Sequence, residues 1–174
     1  ENIVVENNLN IDQGKLDLNT FKLTLDDGQI IGEDATNYIT GTNGGYIEYS
    51  TILNSPDQEN PGNLGIEITS VSNLGQTVIR RGHEEQTSNT GGKSILRYYD
   101  ITPTNNAGLN ATFRIYYNHA ELNGIPESEL ESWRSTDDGS TWSLIEGSIL
   151  NTTNNWVQLS GVDAFSRWTL ASAS

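Results

Sequence analysis

Carboxylates are the most numerous side chains able to do chemistry here, because the 174 residues include 23 Asp and Glu but no Cys. Adjacent acids stand at Asp26-Asp27, Glu84-Glu85 and Asp137-Asp138. Glycosidases use two carboxylates about 5–10 Å apart, but with this many acids almost any fold brings some pair to that distance. The pairs alone do not indicate hydrolysis, so we assign no catalytic residue and expect no enzyme activity.

Calcium binding is better supported than hydrolysis. The segments Asp26-Asp27-Gly28 and Asp137-Asp138-Gly139 put hard oxygen ligands into tight turns. The spacing of an EF-hand loop is absent, and turn formation by Asp and Gly alone is the alternative interpretation. The candidate ligands of a structural Ca²⁺ are Asp26, Asp27, Asp137 and Asp138.

The two histidines form no recognisable metal or catalytic motif. His119-x-Glu121 lacks the Cys-x-x-Cys that zinc deaminases require, and no His-Glu-x-x-His helix occurs. We therefore interpret His83 and His119 as polar residues of loops.

Exposed aromatic rings beside amide-rich loops are candidates for stacking on sugars. Tyr98 and Tyr99 are adjacent in a strand, so one of them must point outward. The candidate ligand-binding residues are Tyr98, Tyr116 and Tyr46. Each of the four Trp lies in an alternating strand pattern, and we expect at least three of them to pack in the core.

The elements that must position these side chains are strands. Over the first 50 residues, short apolar pairs recur every six to eight residues, and corners rich in Asn, Asp and Gly separate them. Such short runs fit either an up-and-down meander or a small β-solenoid with stacked rungs. Asn favours the solenoid, because it tolerates left-handed backbone and can ladder between rungs. The proline-bearing segment 51–64 is predicted to be a loop and an internal boundary.

Longer alternating strands follow. Residues 110–117 form the strongest one, and residues 129–144 predict a hairpin closed at Asp138-Gly139. No apolar pattern of helical period extends over ten residues, so no long helix is expected. We predict an all-β fold: residues 65–174 form an antiparallel, jelly-roll-like β-sandwich, and residues 1–64 form a short-strand meander or solenoid-like part, the two making one continuous unit.

The spelling Ser135-x-Asp137-x-Gly139-x-Thr141-Trp142 resembles the Asp-box hairpin of sialidases and many secreted β proteins. In that family the Asp side chain ties the turn and the Trp packs beneath it. The motif marks a fold and carries no catalytic role.

A second resemblance covers the segment from about Val78 to Ala171. It is similar to a β-sandwich module of large secreted and cell-surface proteins of Bacteroidota, which often precedes a C-terminal sorting domain of the type IX secretion system. The resemblance implies an exported, non-catalytic, adhesin-like or spacer module. The stretches that carry it are Val78–His83, Ser94–Pro103, Glu121–Gly124, Trp133–Ser135, Asn155–Val157 and Phe165–Leu170.

The net charge of the chain restricts the classes of partner that it can bind. A net charge of −14 repels nucleic acid and anionic membrane surfaces, and no apolar run reaches the roughly 20 residues of a membrane span. Since Met is absent, we expect an excised or processed segment. We therefore predict an extracellular or cell-surface module for adhesion or spacing, with a glycan, a host-surface ligand or other domains of the same polypeptide as partners. The alternative is a carbohydrate-binding module attached to a secreted polysaccharide-degrading enzyme.

Overall fold

A computed structural model of the chain describes residues 2–88 and 91–173. The fold is all-β, as the alternating pattern predicts, and the regular elements are sixteen strands and three short 3₁₀ turns. The strands of the first part are β1 Ile3–Val5, β2 Leu9–Asn10, β3 Lys15–Asp17, β4 Lys22–Leu25, β5 Ile30–Ile31, β6 Tyr38–Thr40 and β7 Tyr46–Asn54.

The second part contains nine strands, and the 3₁₀ turns are Pro61–Asn63, His119–Glu121 and Glu127–Glu129. The strands are β8 Ile66–Thr69, β9 Asn73–Gly82, β10 Ser94–Pro103, β11 Ala111–Tyr116, β12 Leu130–Ser135, β13 Ser143–Leu144, β14 Ile149–Asn151, β15 Trp156–Val162 and β16 Arg167–Ser172.

The first 50 residues form a solenoid. Strand β1 pairs in parallel with β4, and β4 pairs in parallel with β7. Strands β2 and β5 pair in the same way, as do β3 and β6. The chain therefore makes two three-strand coils and begins a third with β7. Of the two architectures that the sequence leaves open, the structure has stacked rungs.

The solenoid continues directly into the second part through β7. This strand pairs with β4 on one side and runs antiparallel to β9 on the other, with Tyr46 opposite Gly82. A single eight-stranded sheet results, in the order β1-β4-β7-β9-β10-β16-β12-β13. It crosses the boundary predicted at residue 64. The prediction of a loop over 51–64 is wrong for residues 51–54, because they extend β7 along β9.

The second sheet has the strand order β14-β15-β11-β8. It packs as a sandwich on strands β9, β10, β16 and β12 of the first sheet. Alternate residues of β11, such as Phe113 and Ile115, are buried, since strand side chains alternate between faces. Phe113 packs edge-on against Trp168 of β16, with ring centroids 4.8 Å apart. Buried residues of the solenoid, such as Leu23 and Ile39, belong to the same hydrophobic cluster.

Candidate functional site

A charged residue at the inner face of the large sheet fastens the solenoid to the sandwich. The side chains of β9 alternate between faces, so Ile79 and Arg81 share the buried face, and His83, directly after the strand, is also buried. The Arg81 guanidinium donates to both carboxylate oxygens of Glu33, at 2.7 and 2.8 Å, and to the carbonyl of Leu64 at 3.2 Å. Glu33 lies between β5 and β6, so this two-pronged contact joins the second coil to β9.

A second buried arginine lies on the neighbouring strand. Arg97 of β10 donates to Glu121 Oε1 at 2.8 and 3.1 Å and to the carbonyl of Tyr116 at 3.0 Å. Glu121 belongs to a 3₁₀ turn capped by Asn118, whose backbone N–H donates to Glu121 Oε2 at 3.1 Å. Arg97 therefore ties the large sheet to the segment that follows β11.

The electrostatics of this cluster follow from burial and pairing. Burial alone raises the pKa of Glu33, but the charge and hydrogen bonds of Arg81 outweigh it and hold that pKa at about 2. Burial would lower the pKa of Arg97, whereas the Glu121 carboxylate raises it. Each of the two buried arginines therefore has a carboxylate partner.

A polar cavity of about 390 Å³ opens beside these pairs. Its wall comes from the solenoid, from the turn around Asn60 and from the loops that flank β11 and β15. The lining residues include Glu33, Asp34, Arg81, Arg97, Tyr116 and five asparagines, Asn60, Asn63, Asn118, Asn154 and Asn155.

Both carboxylates of the cavity wall accept hydrogen bonds from donors of the protein itself. Asp34 accepts from the backbone N–H groups of Thr36 and Asn37, each at 2.7 Å, and these bonds lower its pKa to about 2. Glu33 is held by Arg81 and also accepts from the Ile39 N–H at 2.9 Å. Neither acid carries a proton at neutral pH, so neither supplies the general acid that glycoside hydrolysis requires.

Two of the three predicted ligand-binding tyrosines lie together. Tyr46 and Tyr98 flank Gly82 in register across β7, β9 and β10. The Tyr98 ring lies over Gly82, where an added Cβ would be 2.0 Å from its Cε1 atom. An arginine also lies over each ring, Arg167 at 4.7 Å from the Tyr98 centroid and Arg80 at 5.5 Å from that of Tyr46. These contacts cover part of the ring surface that would stack on a sugar.

Tyr116 lies elsewhere, on β11 of the smaller sheet. Its hydroxyl donates to Glu67 Oε2 at 3.0 Å, and the residue lines the polar cavity. The structure therefore separates Tyr116 from the Tyr46–Tyr98 pair and brings it beside the asparagines instead.

The four predicted calcium ligands fall at two distant corners. Asp26 and Asp27 are exposed where β4 ends, whereas Asp137 and Asp138 follow β12. These strands are five positions apart in the sheet, or about 24 Å at the usual strand spacing. Within residues 2–88 and 91–173, no group of three or more His, Cys, Asp or Glu could hold a metal ion. Calcium remains a prediction from the sequence.

The side chain of Asp137 forms hydrogen bonds within the hairpin turn. One oxygen accepts from the Thr141 N–H at 2.8 Å, and the other accepts from the Thr141 hydroxyl at 2.7 Å. The Ser135 hydroxyl also donates to Asp137, at 2.8 Å, and the Trp142 indole N–H donates to the Gly139 carbonyl at 3.1 Å. The bonds from Thr141 and Ser135 lower the pKa of Asp137, and all four bonds close the turn between β12 and β13.

The expectation that at least three Trp pack in the core is wrong. Trp168 is fully buried, but Trp133, Trp142 and Trp156 are only half-buried. Trp133 of β12 and Trp156 of β15 lie one strand from a sheet edge, and Trp142 directly precedes β13. His83 lies in the loop that follows β9, as predicted, but it is buried there, and burial lowers its pKa well below the ordinary value. His119 is exposed in a 3₁₀ turn, 3.3 Å from Glu127.

The sequence contains a signal for the contact between Arg81 and Glu33. Four other strand arginines lie over aromatic rings: Arg80, Arg114, Arg134 and Arg167. Arg81 instead shares the inward face of Ile79. A charge at an inward position indicates a buried partner.

No family model, curated protein or solved structure matches this chain. In its described part, no helix has both the length and the apolar character that a membrane crossing needs.

Proposed function

We propose that this chain is a non-catalytic module of an exported bacterial surface or secreted protein, and that it serves adhesion or spacing. The observation that carries the spacing role is the unbroken eight-stranded sheet, which includes strands of both the solenoid and the sandwich. The Arg81–Glu33 pair reinforces the same connection from the inner face. A module built in this way has no hinge at the transition, so it holds its two ends at a fixed distance and orientation.

The cavity chemistry supports a role without catalysis. Its two carboxylates both have a pKa of about 2 and are fully engaged by protein donors. A hydrolase acting through paired carboxylates needs one of them protonated near neutral pH. The resemblance of residues 78–171 to modules of type IX-secreted proteins supports the export and surface location.

Force spectroscopy tests the spacing role. The chain is held between marker domains of known unfolding behaviour and is pulled from its two ends. We expect one rupture for the whole unit, with a gain in extension of about 600 Å, since a residue spans at most about 3.6 Å when extended. Separate ruptures for residues 2–64 and 65–173 would show a flexible transition and would contradict the proposal.

A carbohydrate-binding module is the second candidate, and the polar cavity favours it. Among the described residues, the side chains of Asn154 and Asn155 form no hydrogen bond, so their amides are free to bond sugar hydroxyls beside Tyr116. The cavity, at about 390 Å³, is of the size that small-ligand sites have. By contrast, the space beside Trp133 and Trp142 is only about 70 Å³.

Affinity gels containing plant, fungal and bacterial polysaccharides separate the two candidates. A pure spacer migrates at the same rate in every gel. A carbohydrate-binding module is retarded by one class of polymer, and Asn154→Ala together with Asn155→Gly abolishes the retardation. Glycine is chosen at 155 because φ there is 53°, a left-handed conformation that alanine disfavours.

A further inference from the structure

The solenoid stacks its lumen-facing side chains in columns. Parallel pairing places Ile3 over Leu23 and Leu23 over Ile47. The same register places Leu9 over Ile30, and Leu16 over Ile39. Each coil therefore covers the apolar side chains of the next coil.

The first coil has no such cover. In the first column, the exposed fraction of the residue is 0% at Ile47, 1% at Leu23 and 41% at Ile3. In the other columns Leu9 and Leu16 are half-buried, whereas their partners Ile30 and Ile39 are fully buried. The sharp change within a single coil shows that the lumen is open at this end.

The strand edges at this end are also unpaired. Strand β1 is the last strand of the eight-stranded sheet, and among the described strands β2 and β3 each pair on one side only. Half of the backbone N–H and C=O groups of a strand point toward each neighbouring strand. On the outer side of β1, β2 and β3, these groups therefore have no described strand to pair with. Free edges beside exposed apolar side chains form a template for adding another strand.

We propose that this open end is a docking surface for a further coil of parallel β-helix, supplied in cis ahead of β1. Such a coil carries an apolar residue above each of Ile3, Val5, Leu9 and Leu16, and its three short strands pair in parallel with β1, β2 and β3. It buries the exposed lumen and satisfies the free backbone groups.

The register favours a coil over a second copy of the chain. All four strand pairs of the solenoid are parallel, and successive coils along the chain stack on one another. Two copies meeting edge to edge around a two-fold axis would instead pair β1 with β1 in antiparallel fashion. Each copy also has a net charge of −14, which opposes self-association. The inference extends the proposed spacing role, but its test does not depend on that role.

The chain itself provides a matched coil for the experiment. Because Asn2 lies one residue before Ile3, as Lys22 lies before Leu23, a second copy of residues 22–45 can be fused directly ahead of Asn2 in the native register. Hydrogen exchange of the amides of β1, β2 and β3 is then compared in the extended and the original chain. We expect exchange there to slow at least about tenfold, since the opening of fraying edges is suppressed.

The control extension has the same length, with its copies of Leu23, Leu25, Ile30 and Ile39 replaced by serine. We expect it to leave exchange in β1–β3 unchanged, and exchange in β9–β12 reports that the remainder of each protein is folded. Equal exchange with and without the apolar coil would overturn the proposal, as would equal protection by the two extensions. Sedimentation of the original chain adds a further arm: a dimer that protects β1–β3 would assign this surface to a second copy and would also overturn it.

Discussion

Arg81 donates two hydrogen bonds to Glu33, at 2.7 and 2.8 Å, across the transition from solenoid to sandwich. The side chain of Arg81 is entirely buried and that of Glu33 is 16% exposed. Removing one partner of such a pair leaves an uncompensated buried charge, which costs more than the pair contributes when intact. The contact therefore makes the two parts of the chain depend on each other for stability.

We expect Glu33→Gln to lower the free energy of unfolding by about 3 kcal/mol, because Arg81 keeps its charge and loses its counter-ion. Glu48→Gln is the matched control, since Glu48 pairs with Lys22 and Arg80, both of which are partly exposed. Its expected cost is below about 1 kcal/mol. Urea denaturation followed by tryptophan fluorescence measures both, and equal losses would show that burial of the pair is unimportant.

Acid should weaken the fold through the same carboxylate. The pKa of Glu33 is about 2 in the folded protein, against 4.5 for an unperturbed Glu. The unfolded chain therefore takes up the proton first, so the stabilisation is complete above about pH 5 and is lost as the pH falls toward 2. The difference corresponds to about 3 kcal/mol. Denaturation from pH 7 to pH 2 should show a smaller loss for Glu33→Gln than for the original chain, and parallel curves would contradict this assignment.

His83 should add a second pH dependence at a higher range. Burial, with the nearby charges of Arg81 and Arg97, lowers its folded-state pKa well below the ordinary value. The unfolded chain then binds a proton below about pH 6.5 that the folded protein does not bind, so stability falls as the pH decreases from there.

The variant His83→Leu should remove this component. We expect its unfolding free energy to be nearly constant between pH 7 and pH 5.5, whereas that of the original chain decreases. Nuclear magnetic resonance of the imidazole in the original chain gives an independent readout. A His83 that titrates near pH 6.5 in the folded protein would rule out this contribution.

The turn between β12 and β13 depends on Asp137 far more than on Asp138. Asp137→Ala removes the bonds to Ser135 and Thr141 and should cost about 1–2 kcal/mol. Asp138→Asn is the control, because φ there is 56° and Asn tolerates left-handed backbone. Among the described residues, the Asp138 side chain forms no hydrogen bond within the turn, and its backbone carbonyl accepts from Arg167 at 2.7 Å. Chemical denaturation should rank the two variants in that order, and similar stabilities would refute the role given to Asp137.

The alternation of apolar and polar residues was sufficient to predict strands, the absence of long helices and the hairpin at Asp138-Gly139. These are local properties: side chains alternate across a strand, and Asp and Gly accept the backbone angles of a tight turn. The outward direction of one residue in the Tyr98-Tyr99 pair follows from the same rule, although the sequence does not say which of them it is.

The functional geometry could not be read in the same way, because it depends on contacts between residues far apart in the chain. Glu33 and Arg81 are 48 positions apart, and nothing local to either residue indicates the other. Likewise, the spacing of the first apolar runs is compatible with both a meander and stacked rungs, and the Asn-rich corners only favour the rungs. Parallel pairing of β1 with β4 and of β4 with β7 decides between them, since backbone hydrogen bonds and lumen packing are formed only once the coils stack. The sequence by itself therefore determined that the chain forms short, amphipathic strands, and only the tertiary structure decided which of them pair, which charges are buried and which edge stays open.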